Sequence, residues 1–334
     1  MKYSILFFIL GVLACQSSGK QEAAEFFKRA NYHVSKNDFE KADGFYSEAI
    51  EKIPDFADAY LNRGILREKM GKLDAADADF AKALELDPSF ELARLQYAGF
   101  LSRLGQYQKS QNYLEPLPST YQDTLLYQYI QGKNAAGLNK SDQAITWFSK
   151  AEQQAPRMPE LATDMGFVYF QDKKYPEAKR YFEKAIQLDP NFAMAHHNLS
   201  VVFALEKKWD QAFSHSAKAT QLDPKEAMFW TNHAYHGFLL ENREESEKAF
   251  EKASKLEQDS NPYWLRLQGV RALSENRTPE ALLFFEKAER IDPGTELIYY
   301  WLGKAEEKKG NLARSCQYFS KGFQLKDQWS TLCR

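Results

Sequence analysis

Alanines and large aromatic side chains return along this chain at fixed places in a window of 34 residues. Windows counted from residues 23, 57, 91, 125, 159, 193, 227, 262 and 296 hold small residues at positions 20 and 27: Ala42 and Ala49, Ala76 and Ala83, Ala144 and Ala151, Ala178 and Ala185, Ala212 and Ala219, Ala281 and Ala288. Position 24 holds a ring in Tyr46, Phe80, Phe148, Phe182, Phe250, Phe285 and Phe319. Steps of four and three residues put these side chains on one face of a helix. The small ones let two helix backbones approach closely, and the ring fills the space that remains.

Two kinds of punctuation divide each window. Position 15 is Asn37, Gly71, Gly105, Asn139, Asn276 or Gly310 in six of the nine windows, the residue types that enter left-handed backbone most cheaply. Position 32 is Pro54, Pro88, Pro156, Pro190, Pro224 or Pro293, which donates no amide hydrogen and bars helical geometry in the residue before it. Each window therefore reads helix, turn, helix, stop, and a period of this size marks stacked helical hairpins rather than a globular catalytic domain. Windows such as Tyr60, Gly64, Ala76, Phe80, Ala83 and Pro88 resemble the tetratricopeptide repeat over residues 23–328. The resemblance implies an all-α fold, an α-solenoid of about nine hairpins in a right-handed superhelix, whose inner surface binds segments of other proteins.

Two windows depart from the pattern. In the third, Pro116 and Pro118 cut the second helix to Tyr107–Leu114 and leave a connector over 119–124. In the seventh, Gln258 stands where proline is expected, and one extra residue precedes the next window. The expected organisation is a leader over 1–14, a tether over 15–22, subarrays over 23–118 and 125–328, and a C-terminal cap over 329–334.

The leader begins with Lys2 and a short apolar run from Ile5 to Leu13, then Ala14 and Cys15. That run is roughly half the ~20 residues a spanning helix needs. Val12-Leu13-Ala14-Cys15 resembles the lipobox of bacterial lipoproteins, which implies that Cys15 carries the lipid; an ordinary secretory signal cut after Ala14 is the other reading. Two or more acyl chains hold a protein on a membrane stably where one does not. Gln16 after the cysteine implies, by the same resemblance, the outer membrane, with the periplasmic side favoured. An extended tether reaches about 3.5 Å per residue, so the array starts within roughly 30 Å of the lipid.

A net charge of −2 with charged residues at 27% gives no field suited to nucleic acid. The three cysteines, Cys15, Cys316 and Cys333, are too few and too scattered for a zinc site. Cys316 in the last hairpin and Cys333 near the end suit a disulfide in an oxidising compartment, pinning a tail with Trp329 and Leu332 over the terminal apolar face; two free thiols are the alternative.

Catalytic chemistry is not legible. Gly132 to Gly137 resembles the start of a phosphate loop, but Leu138 and Asn139 follow where lysine and a hydroxyl residue are required. His196, His197, His215, His233 and His236 cluster in the sixth and seventh windows, without a motif that makes a metal site of them, and read as packing or surface residues. No cofactor and no metal are expected, and the chain reads as a non-enzyme.

What remains is the inner face, which the resemblance assigns to positions 2, 5, 6, 9, 12 and 13. The lysine and asparagine clamp that some relatives use for a carboxylate is absent. Position 6 gives Asn62, Gln96, Ile130, Asp164, Asn198 and Asn232, similar to an asparagine ladder holding a peptide main chain. Beside it runs an apolar stripe: Phe167 and Phe170, Val201 and Ala204, Tyr235 and Phe238, Val270 and Leu273. For both features, ordinary packing between neighbouring helices is the competing reading. Three ladder bonds at about 1 kcal/mol each reach only millimolar binding, so the aromatics, at about 2 kcal/mol each, are the stronger source of affinity. The expected function is an adaptor that grips segments of other envelope proteins; a glycan or small-solute binder is the alternative.

Overall fold

The computed structural model describes residues 3–257, 260–295, 297–322 and 333, with side chains from Gly19 onward. The described residues form nineteen α-helices and no strand. They fall into an N-terminal body, Met1–Pro156, and a C-terminal body, Arg157–Arg334.

The N-terminal body runs α1 (Tyr3–Ser35), α2 (Phe39–Lys52), α3 (Ala57–Lys69), α4 (Leu73–Leu86), α5 (Glu91–Arg103), α6 (Tyr107–Leu114), α7 (Ser119–Gln122), α8 (Leu125–Gly137) and α9 (Ser141–Gln154). The C-terminal body runs α10 (Pro159–Gln171), α11 (Tyr175–Leu188), α12 (Ala193–Leu205), α13 (Trp209–Leu222), α14 (Ala227–Leu239), α15 (Arg243–Ser254), α16 (Pro262–Ser274), α17 (Thr278–Ile291), α18 (Ile298–Lys308) and α19 (Leu312–Lys321). Successive pairs are the hairpins that the windows predict, and within each body every hairpin packs on the next.

The position rules hold at atomic detail. The alanines at positions 20 and 27 are fully buried, and Phe80, Phe148, Phe182, Phe285 and Phe319 are no more than 2% exposed. Each of these rings lies against a glycine on the partner helix. A Cβ built on Gly166 would sit 2.6 Å from Phe182 Cε1, and Gly132, Gly269 and Gly303 meet Phe148, Phe285 and Phe319 as closely, whereas one on Gly64 would sit 3.4 Å from Phe80 Cδ1. Position 15 has positive φ in all nine hairpins: in Asn37, Gly71, Gly105, Asn139, Asn276 and Gly310 as expected, and also in Lys173, Lys207 and Glu241. The residues before the prolines leave the helix at φ near −135°, as Ile53 (−134°) and Asp87 (−133°) show, because the proline ring excludes helical geometry there.

Three features differ from the expected organisation. The first helix starts at Tyr3 and runs through the stretch read as leader and tether, so residues 15–22 are helical rather than extended; the segment holds no proline to stop it. The connector folds into the single turn α7. The division between bodies falls at 156/157 rather than at 118–125. Across 118–125 a core of Leu95, Ala98, Leu114, Leu117, Tyr127 and Ile130 joins the third hairpin to the fourth. The shortened α6 matches its expected bounds, Tyr107–Leu114.

Candidate functional site

Cys15 and the leader side chains, Gln258, Trp329 and Leu332 lie outside the residues whose side chains are described. Among the described residues no helix is long and apolar enough to cross a membrane. Cys316 on α19 is bonded to Cys333, with Cα atoms 5.5 Å apart, which ties Cys333 to the last hairpin.

The two ladder residues of the N-terminal body, Asn62 on α3 and Gln96 on α5, are half-buried. Beside them Ile65 and Leu92 keep 36% and 45% of their surface exposed, and Arg103 on α5 clasps Glu68 on α3 through both carboxylate oxygens, Nη2 to Oε2 at 2.8 Å. Ile130 is buried and belongs to the core between hairpins.

In the C-terminal body the same face is divided. On α10 and α12 it stays accessible: Phe167 is 45% exposed, Met194 36%, and Asp164, Asn198 and Val201 are half-buried. Phe170 is half-buried, edge-on to Tyr175 with ring centres 5.6 Å apart. On α14 and α16 the face is closed. Val270 and Leu273 belong to the largest apolar core, with Phe238 packed against it.

Asn232 and Tyr235 correct the expected groove. Asn232 is 5% exposed; its Nδ2 donates to Met228 O at 3.2 Å, and its Oδ1 accepts from Arg266 Nη2 at 3.4 Å. Its amide is thus engaged within the chain. Tyr235 is 1% exposed. The guanidinium of Arg266, itself fully buried, sits 3.9 Å from the centre of its ring, and Trp301 of α18 meets the ring edge-on and donates Nε1–H to its hydroxyl at 2.9 Å. A buried guanidinium is costly unless paired, and stacking on tyrosine plus a hydrogen bond to an amide meets part of that cost. Arg266 and Trp301 occupy inner-face positions 5 and 6 of their windows. The signal in the sequence is a break in residue type: Trp301 stands at position 6, where Asn62, Gln96, Asn198 and Asn232 stand in other windows, and Arg266 brings a cation to position 5.

The histidines lie at the contact between the sixth and seventh hairpins. His196 Nε2 is 3.0 Å from Pro190 O, which only accepts, so this nitrogen carries the proton. Its Nδ1 is then the acceptor for His215 Nδ1–H at 3.0 Å. His233 Nδ1 meets Ser216 Oγ at 3.0 Å. Burial lowers the pKa of His197 and of His233 to about 4 and pushes His236 well down, with the Arg266 charge adding to it. Among the described residues no three His, Cys, Asp or Glu side chains converge as a metal site. These rings are neutral packing groups.

Models of the tetratricopeptide repeat match residues 57–90 and 161–192, 240–296, and 297–328. The chain is 30% identical over 155 residues to Hsp70-Hsp90 organizing protein 2 of Arabidopsis thaliana, covering 45% of this chain and 27% of that one. It is 30% identical over 127 residues to a UDP-N-acetylglucosamine--peptide N-acetylglucosaminyltransferase of Giardia intestinalis, covering 38% of this chain and 8% of the enzyme. The chain thus spans under a third of either relative. Among solved structures, the type IV pilus biogenesis factor PilW superposes at a TM-score of 0.55 with 17% identity, over 63% of this chain and 97% of PilW. PilF of Pseudomonas aeruginosa gives 0.50 with 19% identity, over 64% and 96%. These likenesses establish the fold, and the matched residues carry tetratricopeptide repeats.

Proposed function

We propose that this tetratricopeptide-repeat chain is a non-enzymatic adaptor that holds segments of partner proteins against the first helices of its fifth and sixth hairpins, at the bacterial outer membrane. The observation that carries the reading is the accessible strip of Phe167 and Met194 beside half-buried Asp164 and Asn198. It pairs apolar area, the source of affinity, with side chains able to bond a passing main chain. The organizing protein of Arabidopsis thaliana, matched over 45% of this chain, fits an adaptor. The envelope location is supported by the resemblance of Val12-Leu13-Ala14-Cys15, followed by Gln16, to a lipobox, in which Cys15 carries the lipid.

The test is a photoreactive residue placed in the living cell at position 167, and separately at the outward-facing Leu283, which is 68% exposed. A discrete adduct formed from 167 and absent from 283 supports the reading. Equal labelling from both positions, or none from 167, contradicts it. Loss of the protein from the membrane fraction on Cys15→Ser tests the anchor separately.

A further inference from the structure

Five of the chain's six histidines fall in its sixth and seventh hairpins, and three of them form the contact between the two. His197 of α12 lies against Phe229 of α14, ring centres 5.1 Å apart. From α14, His233 packs on Phe213 of α13 at 4.5 Å and meets Ser216 Oγ at 3.0 Å, and His236 donates to the Ala212 carbonyl of α13. All three are no more than 5% exposed. The other two, His196 and His215, bond each other inside the sixth hairpin.

These rings fit the contact only while neutral. Nδ1 of His197 and Nδ1 of His236 are buried without a hydrogen-bond partner, so a proton added there finds no acceptor. The nearby charges oppose it as well: Arg266 of α16 acts on His236, and Lys218 of α13 acts on His196. Helices α12, α14 and α16 carry no carboxylate, and the single one of α13, Asp210, is exposed. At the ends of α14, Glu226 accepts from the Met228 amide and Glu257 accepts from Thr231 and Asn261. On α15, Glu244 and Glu245 face Lys248, Glu247 pairs with Arg271, and Arg243, Glu251 and Lys252 are exposed. On α18, Glu306 and Glu307 pair with Arg314 and Lys304.

Among the described residues no ion pair joins the sixth hairpin to the seventh, whereas Arg271 and Glu247 join the eighth to the seventh, with Nη2 and Oε2 2.9 Å apart. Neutral rings therefore hold this contact. In a stacked array stability is a sum of hairpin and nearest-neighbour terms, so one contact can part while the hairpins on either side stay folded.

We propose that the contact between the sixth and seventh hairpins is a proton-operated hinge, closed while His197, His233 and His236 are neutral and parted when they take up protons. The hinge goes beyond the adaptor reading and does not rest on it. Burial holds His197 and His233 at about 4, against 6.5 once they are freed. The closed state is favoured in full above pH 6.5 and progressively less as pH falls toward 4. Between pH 7.5 and pH 5, parting becomes about thirtyfold more favourable for each of these two rings.

The experiment measures distances between nitroxide spin labels by pulsed electron paramagnetic resonance in the full oxidised chain, with Cys15→Ser so that only introduced thiols are labelled. One pair, Ser214→Cys on α13 and Glu251→Cys on α15, spans the hinge from exposed positions. A second pair, Ala81→Cys on α4 and Lys109→Cys on α6, spans a contact whose helices carry no histidine. The first pair should give one distance at pH 7.5 and an added, longer population at pH 5 that disappears on return to pH 7.5. The second pair and the far-UV circular dichroism should not change. His197→Gln, His233→Gln and His236→Gln together should remove the longer population. Should that variant not fold, His233→Gln alone, which keeps a group to bond Ser216, should lower the parted-to-closed ratio at pH 5 about thirtyfold. His196→Gln with His215→Gln should leave the longer population in place. Unchanged distances at pH 5 overturn the proposal, as does a longer population that His233→Gln leaves intact or that the His196 and His215 variant removes as fully. Broadening of both label pairs together with loss of helicity is acid unfolding of the chain and also overturns it.

Discussion

Trp301 Nε1 donates to the hydroxyl of Tyr235 at 2.9 Å, joining residues 66 apart in sequence. The bond links the ninth hairpin to the seventh and closes the face of α14 that periodicity alone marks as open. Trp301→Phe keeps the ring and removes the donor, and should cost about 1 kcal/mol. Trp301→Ala removes the ring as well and should cost about 2–3 kcal/mol, since Trp301 is only partly buried. Urea unfolding followed by far-UV circular dichroism measures both; equal, negligible losses would mean that the contact does not hold the C-terminal body together.

Two glycines should respond with opposite signs to alanine. A Cβ on Gly166 meets Phe182 at 2.6 Å and the Ala178 carbonyl at 3.2 Å, whereas one on Gly44 meets nothing within 4 Å. Gly166→Ala should destabilise by about 1–3 kcal/mol through overpacking. Gly44→Ala, inside α2, should stabilise by about 0.5–1 kcal/mol. Thermal melts of the two variants beside the parent give the signs.

Acidification should weaken the C-terminal body. His197 falls from 6.5 to about 4 on burial, so the folded chain resists a proton that the unfolded chain accepts. The stabilisation is complete above pH 6.5 and is lost as pH falls from 6.5 toward 4, about 3 kcal/mol for this residue. His196, His215, His233 and His236 shift in the same direction. Urea midpoints between pH 7.5 and 4.5 should drop, and His197→Gln should flatten the slope. A midpoint that rises on acidification would contradict the assignment of neutral rings.

Reducing the Cys316 to Cys333 bond should release the tail from the last hairpin. On the loop-entropy model the closed loop is worth about 3 kcal/mol, and the bond joins residues 17 apart. Cys316→Ser should lower the melting temperature of the oxidised protein and make it insensitive to dithiothreitol. A parent protein whose melting is already insensitive to dithiothreitol would mean that the bond holds nothing in place.

The hairpins were legible in the sequence because each position rule is steric and local. Phe182 needs the small residue at Gly166 on its partner helix, Pro190 forces Asp189 out of the helix, and Asn139 takes the left-handed turn. The inner face was half legible. Spacing places Asn232 and Tyr235 toward the first-helix side, but what covers that side depends on Arg266 and Trp301, 34 and 66 residues farther on. The left-handed turns at Lys173, Lys207 and Glu241 are not legible from residue type, because the rest of the hairpin imposes them. The continuity across 118–125 is hidden for a related reason: Pro116 and Pro118 end α6, yet Leu114 and Leu117 bury themselves against Tyr127 and Ile130 across the interruption.

Hydroxyl-radical footprinting with mass spectrometry tests the central claim most directly, that the first-helix face is open on α10 and α12 and sealed on α14. Phe167 and Met194 should be modified readily in the free protein and become protected when the partner adduct forms, while Tyr235 stays protected throughout. Modification of Tyr235 as fast as Phe167 would contradict the account.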